Sequence, residues 1–243
     1  MRGERGAAER GTVLLLAGTR EARALAEEAA GLDLLVSLAG RTARPGWCAH
    51  RVRVGGFGGE DGFRAALGGV AAVLDATHPY AATMSERAAR LSAERGVPHL
   101  RLARAPYPPD PAWRRHPDAE ACAEALPEGA RVLLTSGPGT LAAFEGRGLR
   151  LACRRVDPAP PRAGVEWVVG LSSGEGAERA LLSRLGATHL VTKDSGGPTH
   201  KLDAARALGL EVHVIDRPPP PPGPETHDPA VAAAFLRAHA RPL

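Results

Sequence analysis

Short apolar runs alternate with amphipathic stretches along most of this chain. The run Val13–Ala17 is apolar at every position, as expected of a strand buried on both faces, and a glycine turn separates it from a helical pattern over residues 21–30. The same order of strand, turn and helix recurs towards the end of the sequence. It predicts βαβ units arranged around parallel sheets.

The remaining predicted strands are short and rich in aliphatic residues: 34–38, 51–54, 70–76 and 98–102 in the first half, and 132–135, 149–154, 166–169, 189–192 and 212–215 in the second. Repeated prolines between the halves disfavour helix interiors and central strands. We therefore predict an α/β fold of two Rossmann-like, doubly wound parallel-sheet domains, residues 11–105 and 118–243, with a Pro-rich linker at 106–117 and an interdomain cleft.

Composition fits a soluble enzyme better than a membrane or exported protein. The chain has 243 residues, of which 44% are hydrophobic and 24% charged, and no apolar run approaches the roughly 20 residues of a transmembrane helix. The first twelve residues are charged and lack the apolar stretch of a signal peptide, so a cytoplasmic location is expected. A monomer or weak homo-oligomer is expected.

Charge and metal-ligating residues narrow the choice of ligands. The net charge is +4, but the arginines are dispersed and aromatic residues make up only 4%, which argues against nucleic acid and favours a small polyanion. The three cysteines form no CxxC pair and the nine histidines form no HxxxH pair. No protein-held metal is therefore expected.

The glycine turn after the first predicted strand is a candidate phosphate site. Gly18, Thr19, Arg20 and Glu21 convert a strand into a helix, and the free N–H groups of a helix start attract phosphate. The familiar GxGxxG pattern is absent. The alternative is a plain strand–helix connection.

The end of the second predicted strand indicates which nicotinamide nucleotide would bind. This stretch lacks the carboxylate that binds the ribose of NAD and instead contains Arg41, which can bind a 2′-phosphate together with Ser37, Thr42 or Arg44. NADPH is therefore favoured over NADH. The alternative is that Arg41 is a solvated surface residue.

Two more groups of polar residues follow predicted strands. Thr77-His78-Pro79-Tyr80 offers an imidazole and a phenol as hydrogen-bond or proton donors, or else a histidine that only caps the next helix. Lys193-Asp194-Ser195-Gly196-Gly197, with Lys201 in the following helix, is suited to carboxylates or phosphate, the alternative being a flexible polar turn. Ser136-Gly137-Pro138-Gly139 is a weaker candidate of the same kind, or a tight turn.

The chain also resembles a known family. LLLAGTREARALA, LAGRTA, VRVGGFGG, LDATHPYAATMS and LVTKDSGGPTHKLDAARALGLEVHVIDRP follow one another as in the precorrin-6A reductase family, over residues 13 to about 218. DATHPYA together with VTKDSGG is the specific part of this resemblance. One departure is Ala17, where a second glycine is usual.

The resemblance implies an NADPH-dependent reduction of a double bond in precorrin-6A, or in cobalt-precorrin-6A, on the route to cobalamin. It implies an N-terminal NADPH-binding domain and a C-terminal domain for a polycarboxylate tetrapyrrole. By position, the resemblance implies that the pyrophosphate and ribose are bound by Gly18, Thr19, Arg20 and Glu21, and the 2′-phosphate by Arg41 and Thr42. It implies a place beside the nicotinamide and the macrocycle for Thr77, His78 and Tyr80. The substrate carboxylates would be bound by Lys193, Ser195, Gly196, Gly197 and Lys201.

The proton donor, the substrate and the class of protein each remain open from sequence. The proton that accompanies the hydride can come from His78, Tyr80, Lys193 or water, and both the metal-free and the cobalt substrate are compatible with the sequence. A short-chain dehydrogenase requires Tyr-x-x-x-Lys, but Tyr80 and Tyr107 are followed four places on by Met84 and Pro111. A two-domain nucleotide-sugar transferase and a non-catalytic NADPH-binding module are also compatible with the predicted fold.

Overall fold

The computed structural model describes residues 10–40 and 50–243. They form two compact units, of which the first contains the described residues up to Arg104 together with Pro218–Leu243 and the second contains Ala105–Arg217. In the described part of the chain, each unit is built on a six-stranded parallel sheet. The predicted α/β fold with two Rossmann-like parallel sheets is thus confirmed.

The strands, in chain order, are β1 (Val13–Ala17), β2 (Leu34–Leu38), β3 (Arg51–Val54), β4 (Ala72–Ala76), β5 (His99–Leu102), β6 (Trp113–His116), β7 (Arg131–Leu134), β8 (Arg150–Arg155), β9 (Val165–Val169), β10 (His189–Lys193), β11 (Glu211–Ile215) and β12 (Glu225–Thr226). The helices are α1 (Arg20–Glu28), α2 (Gly59–Leu67), α3 (Ala82–Arg95), α4 (Ala119–Glu124), α5 (Glu175–Arg184), α6 (His200–Ala207) and α7 (Pro229–His239), and a 3₁₀ helix spans Pro138–Ala143. None of the helices in residues 10–40 and 50–243 is long and apolar enough to cross a membrane.

Strand β1 is apolar throughout because helices cover both faces of the first sheet. Its alternate side chains enter different clusters: Leu15 packs with residues of α1 and α7, whereas Leu14 and Leu16 pack with residues of α2 and α3. Leu14 and Leu15 are fully buried. Burial of each leucine contributes about 2 kcal/mol, so β1 is a stable base for the loop that follows it.

The strand order places the candidate loops at equivalent positions in the two sheets. In the first sheet the order is β12-β5-β4-β1-β2-β3. Successive strands are added on one side of β1 up to β3 and on its other side from β4 onwards, so the strand order reverses between β1 and β4. In the second sheet the order is β6-β11-β10-β7-β8-β9, and the strand order reverses between β7 and β10. Ligands of doubly wound sheets bind at the carboxyl ends of the strands where the order reverses. Gly18 and Thr77 follow β1 and β4, and Ser136 and Lys193 lie at the ends of β7 and β10.

The compact units differ from the predicted domain boundaries in two places. Residues 113–116, within the predicted linker, form β6, which pairs with β11 in the second sheet. Residues 218–243, predicted to end the second domain, belong to the first unit, where β12 pairs with β5 and α7 buries Leu236. The prolines at 106–111 precede β6 without interrupting it, and the prolines at 218–222 mark the return of the chain to the first unit.

Candidate functional site

In the first unit, Gly18 and Thr19 form the turn between β1 and α1. The Gly18 amide donates to the carbonyl of Ala76 at 3.2 Å, and Thr19 caps α1 by accepting the Ala22 amide at 3.1 Å. A Cβ atom on Gly18 would lie 2.9 Å from the backbone nitrogen of His78, so the turn lies directly against the loop after β4. The first turn of α1, which includes exposed Arg20, presents backbone N–H groups at this edge of the sheet.

Glu21 is held by an arginine that sequence reasoning did not single out. Arg104 donates from Nε to Oε1 of Glu21 at 2.9 Å and from Nη2 to Oε2 at 2.6 Å. Burial of the Glu21 carboxyl raises its pKa, but the hydrogen bonds and charge of Arg104 outweigh burial and leave the pKa lowered. Glu21 therefore serves to position Arg104 at this edge. Since 83 residues separate the pair, no local sequence signal could have revealed it.

Ser37 is bound by a second arginine that the sequence analysis missed. Arg53 donates from Nη1 to the Ser37 hydroxyl at 2.7 Å, and it also donates to the carbonyls of Gly55 and Gly56. Its guanidinium lies 3.7 Å from the ring centre of Phe57. The structure thus places a cation beside the predicted nucleotide residue Ser37. The remaining predicted residues here, Arg41 and Thr42, lie outside the described part of the chain.

The loop after β4 brings the two predicted catalytic side chains together. The rings of His78 and Tyr80 are 5.7 Å apart between their centres, and both are half-buried. His78 Nδ1 accepts the Tyr80 amide at 3.3 Å, so the neutral imidazole carries its hydrogen on Nε2. The Thr77 hydroxyl is 3.0 Å from that of Ser85. This loop therefore offers an imidazole N–H and a phenol as hydrogen-bond donors.

Buried Asp75 holds the loop after β4 in place. Its Oδ1 accepts the Thr77 amide at 3.0 Å, and its Oδ2 lies 3.8 Å from Nε of Arg101, which in turn donates to Glu225 at 2.8 Å. These residues were not predicted as functional. Asp75 interrupts the apolar run of β4, and a carboxylate in a strand buried on both faces was the signal that could have found it.

In the second unit, Asp194 holds the Lys193–Gly197 loop. Its buried carboxylate accepts the Tyr107 amide at 2.9 Å and Nη2 of Arg115 at 2.8 Å. The Ser195 amide donates to the Lys193 carbonyl at 2.7 Å. Gly196 and Gly197 have positive φ angles of 63° and 81°, which only glycine adopts readily. The loop is therefore a turn that is held by hydrogen bonds and requires glycine at two positions.

Lys201 and the Ser136–Gly137 turn complete the predicted substrate residues. Nζ of Lys201 lies 5.7 Å from the ring centre of Tyr107. The Ser136 hydroxyl pairs with Thr140 at 2.6 Å, and Gly137 leads directly into the 3₁₀ helix. Ser136 thus makes a local contact, and it shares the carboxyl edge of the second sheet with the Lys193–Gly197 loop.

Sequence comparison connects this chain with one group of proteins over nearly its full length. The family described as precorrin-6x reductase CbiJ/CobK matches residues 12–237. Precorrin-6A reductase of Rhodococcus erythropolis is 40% identical over 235 residues, covering 91% of this chain and 95% of that protein. Cobalt-precorrin-6A reductase of Priestia megaterium is 32% identical over 231 residues, covering 85% and 90%.

Structural comparison leads to the same group. The solved structure of CobK precorrin-6A reductase matches with a TM-score of 0.86 and 33% sequence identity, over 96% of this chain and 98% of that one. A match of this extent takes in both parallel sheets. The resemblance stated from sequence motifs is thereby confirmed.

Proposed function

The chain belongs to the precorrin-6x reductase family of cobalamin biosynthesis, and from this premise we propose that it reduces a double bond of the precorrin-6A macrocycle with NADPH. The observation that carries the proposal is the contact between two loops of the first sheet. The turn at Gly18 packs against the backbone of Thr77 and His78, next to the paired rings of His78 and Tyr80. A phosphate-binding turn thus lies beside hydrogen-bond donors suited to a nicotinamide or a macrocycle.

The residues of the first unit fit a phosphorylated dinucleotide. A side chain at Gly18 is excluded by the neighbouring loop, and the first turn of α1 offers amides to a pyrophosphate. Arg53 beside Ser37 supplies positive charge at the end of β2, where we place the 2′-phosphate together with Arg41 and Thr42. Arg104 is paired with the ionised Glu21, so this pair adds no net positive charge to the site. When bound, NADPH supplies the hydride for the reduction.

The chain positions the reactants and supplies a proton. Asp75 fixes the Thr77 amide, and the Tyr80 amide fixes the His78 ring so that Nε2 carries its hydrogen. We assign His78 and Tyr80 as the hydrogen-bond donors on this loop. Of the two, the Tyr80 phenol is the one that can give up a proton, because a neutral imidazole N–H is too weak an acid. Donors on a loop that these two hydrogen bonds anchor lose little freedom when substrate binds, which favours transfer to a fixed atom of the macrocycle.

In the second unit, we place the substrate carboxylates at the Lys193–Gly197 loop. Ser195, Gly196 and Gly197 offer a hydroxyl and backbone amides, and Lys193 and Lys201 add positive charge. Asp194 is engaged by Tyr107 and Arg115, so its own charge is neutralised and does not repel an anion. Ser136 and Gly137 extend this group along the carboxyl edge of the second sheet.

The proposal is tested by mixing the purified chain with NADPH and either precorrin-6A or cobalt-precorrin-6A, and following the absorbance of the reduced nicotinamide. We expect oxidation that depends on enzyme and macrocycle, and a lower kcat/KM with NADH. Absence of oxidation with both macrocycles would refute the proposal. In that case, tight binding of NADPH would favour a non-catalytic NADPH-binding module.

A further inference from the structure

The amino ends of β10 and β11 carry three metal-ligating side chains on one face of the second sheet. His189 is the register partner of Glu211, and His213 lies two residues beyond Glu211 on the same strand. Side chains two apart on a strand, and register partners on adjacent parallel strands, project from the same face. This group lies at the amino ends of the strands, whereas Lys193 lies at the carboxyl end of β10. It is not used in the proposed reduction.

Both histidines have a buried nitrogen without a protein partner. His189 is 6% exposed and His213 is completely buried. Within residues 10–40 and 50–243, Nε2 of each ring has no hydrogen-bond partner. An unsatisfied buried polar atom is costly, by about 1–3 kcal/mol, and native proteins contain few of them. Two such atoms in adjacent side chains indicate a missing ligand.

Hydrogen bonds at Nδ1 orient the two imidazoles so that Nε2 can face an ion. His189 Nδ1 is 2.8 Å from the Thr188 hydroxyl, which itself donates to the carbonyl of Arg131 and therefore accepts from Nδ1–H. His213 Nδ1 is 2.9 Å from His116 Nε2. The hydrogen on Nδ1 of His189 leaves a lone pair on its Nε2, and the same holds for His213 in the tautomer whose Nδ1–H donates to His116. Metal-bound histidines are usually held in this way by a partner on the second nitrogen.

Glu211 supplies a carboxylate at the exposed side of the group. Its Oε1 lies 3.8 Å from His189 Nε2, while its Oε2 accepts Nη2 of Arg114 at 2.8 Å. The Glu211 side chain is 48% exposed, so an ion has a path from solvent. Each of the three residues His189, Glu211 and His213 offers one ligand atom, and these three atoms all lie within 4.8 Å of one another.

We propose that His189, Glu211 and His213 form a binding site for a divalent transition-metal ion of the zinc type. Two imidazoles and one carboxylate are a known zinc ligand set, which leaves a fourth position for water. Ligand atoms around tetrahedral zinc lie roughly 3.4 Å apart, so a shift of about 1 Å in each side chain brings the observed atoms to that spacing.

Nearby Cys122 is not assigned as a ligand. Its Sγ belongs to a second group, with His116 and His213, that is buried throughout. Within that second group, Nδ1 of His213 is also paired with His116.

The site is tested on the full chain, stripped with a chelator and then titrated with Zn²⁺ against a chromophoric competitor. We expect one tight equivalent of Zn²⁺ that excess Mg²⁺ does not displace. Glu211→Gln and His189→Gln should each weaken this equivalent at least about tenfold. His213 is left intact because its buried ring also packs the unit. The matched control is His227→Gln, which removes an exposed histidine whose Nε2 is 4.0 Å from Glu225.

Thermal unfolding gives an independent measurement. Zn²⁺ should raise the Tm of the wild-type chain and of His227→Gln, and should leave the Tm of Glu211→Gln nearly unchanged, because an ion that binds only the folded state stabilises it. Circular dichroism before the titration establishes that each variant is folded. The site is disproved if the wild-type chain binds no tight equivalent, or if Glu211→Gln and His189→Gln both bind Zn²⁺ as the wild type does.

Discussion

At the scale of single residues, Gly18 is constrained by its neighbours in the folded chain. A Cβ atom at this position would approach the His78 nitrogen to 2.9 Å and the Thr77 Cα to 3.2 Å. Both contacts are with backbone, which cannot rotate away as the end of a long side chain can. Glycine is therefore required by the packing of two loops, whether or not a phosphate also approaches it.

We expect Gly18→Ala to displace the loop that carries His78 and Tyr80. The substitution should lower NADPH affinity about tenfold and stability by about 1–3 kcal/mol, because overpacking shifts backbone. Fluorescence titration with NADPH and urea unfolding measure the two effects. The matched control is Gly139→Ala, where an added Cβ meets no atom within 4 Å. Unchanged NADPH affinity in Gly18→Ala would contradict the placement of the nucleotide.

Residues that follow strands were predictable, but their partners were not. Ser37 was singled out because it lies near the end of an apolar run, yet its hydrogen bond to Arg53 depends on the register that places these two residues side by side. Glu21 likewise required knowledge of the distant Arg104. His189 and His213 have no helical spacing, so only the pairing of β10 with β11 brings their nitrogens together.

At the scale of elements, aliphatic residues decided which strands the sequence could reveal. Every predicted strand overlaps an observed one: the central strands are covered on both faces and read as aliphatic runs, and the edge strands β3 and β9 retain several valines. Strands β6 and β12 were missed. Each lies at the edge of its sheet and is short and polar, with the sequences WRRH and ET. Unlike the edge strands β3 and β9, they contain no aliphatic residue, so the sequence carries no strand pattern there.

Asp33, just before β2, connects three elements of the first unit. Its buried carboxylate accepts hydrogen bonds from Thr12 before β1, from Arg51 in β3 and from Arg241 after α7. Burial raises the pKa of Asp33, but these donors outweigh it and the pKa is lowered below its ordinary value of 3.8. The ionised form is therefore the one that stabilises the fold.

The lowered pKa of Asp33 in the folded state predicts how the stability of the protein depends on pH. Because the folded state has the lower pKa, the contribution of Asp33 is complete above about pH 4 and is lost as pH falls through the folded pKa. Asp33→Asn should cost about 1–3 kcal/mol at pH 7, and the cost should shrink below about pH 3. Urea unfolding of both proteins across this range measures it. An equal cost at both pH values would show that the carboxylate charge is unimportant.

At the scale of the whole molecule, the chain crosses between the units twice. After β5 of the first unit it enters the second unit with β6, and after β11 of the second unit it returns with β12. Each sheet thus receives its outer strand from the segment that follows a crossing. The C-terminal segment also supplies Leu236 and Ala232, which are completely buried in the core beside β1.

We expect a chain that ends at Arg217 to lose the first unit. Removal of β12 and α7 uncovers β4 and β5, whose Leu74, Leu100 and Leu102 lie in the same core cluster as α7, so the shortened protein should bind a hydrophobic dye and fail to bind NADPH. Calorimetry should show loss of the transition that NADPH stabilises in the full chain. An NADPH-stabilised transition in the shortened protein would contradict this account.

The double crossing also sets an order of events during synthesis. The described strands of the second sheet all lie within residues 105–217, so they are synthesised before residues 218–243. The first unit starts with β1 but lacks β12 and α7 until residues 225–239 have been synthesised. Domains often fold in the order in which they leave the ribosome. In this chain, the unit whose first strands are synthesised first is the unit that is completed only by the later segment 218–243.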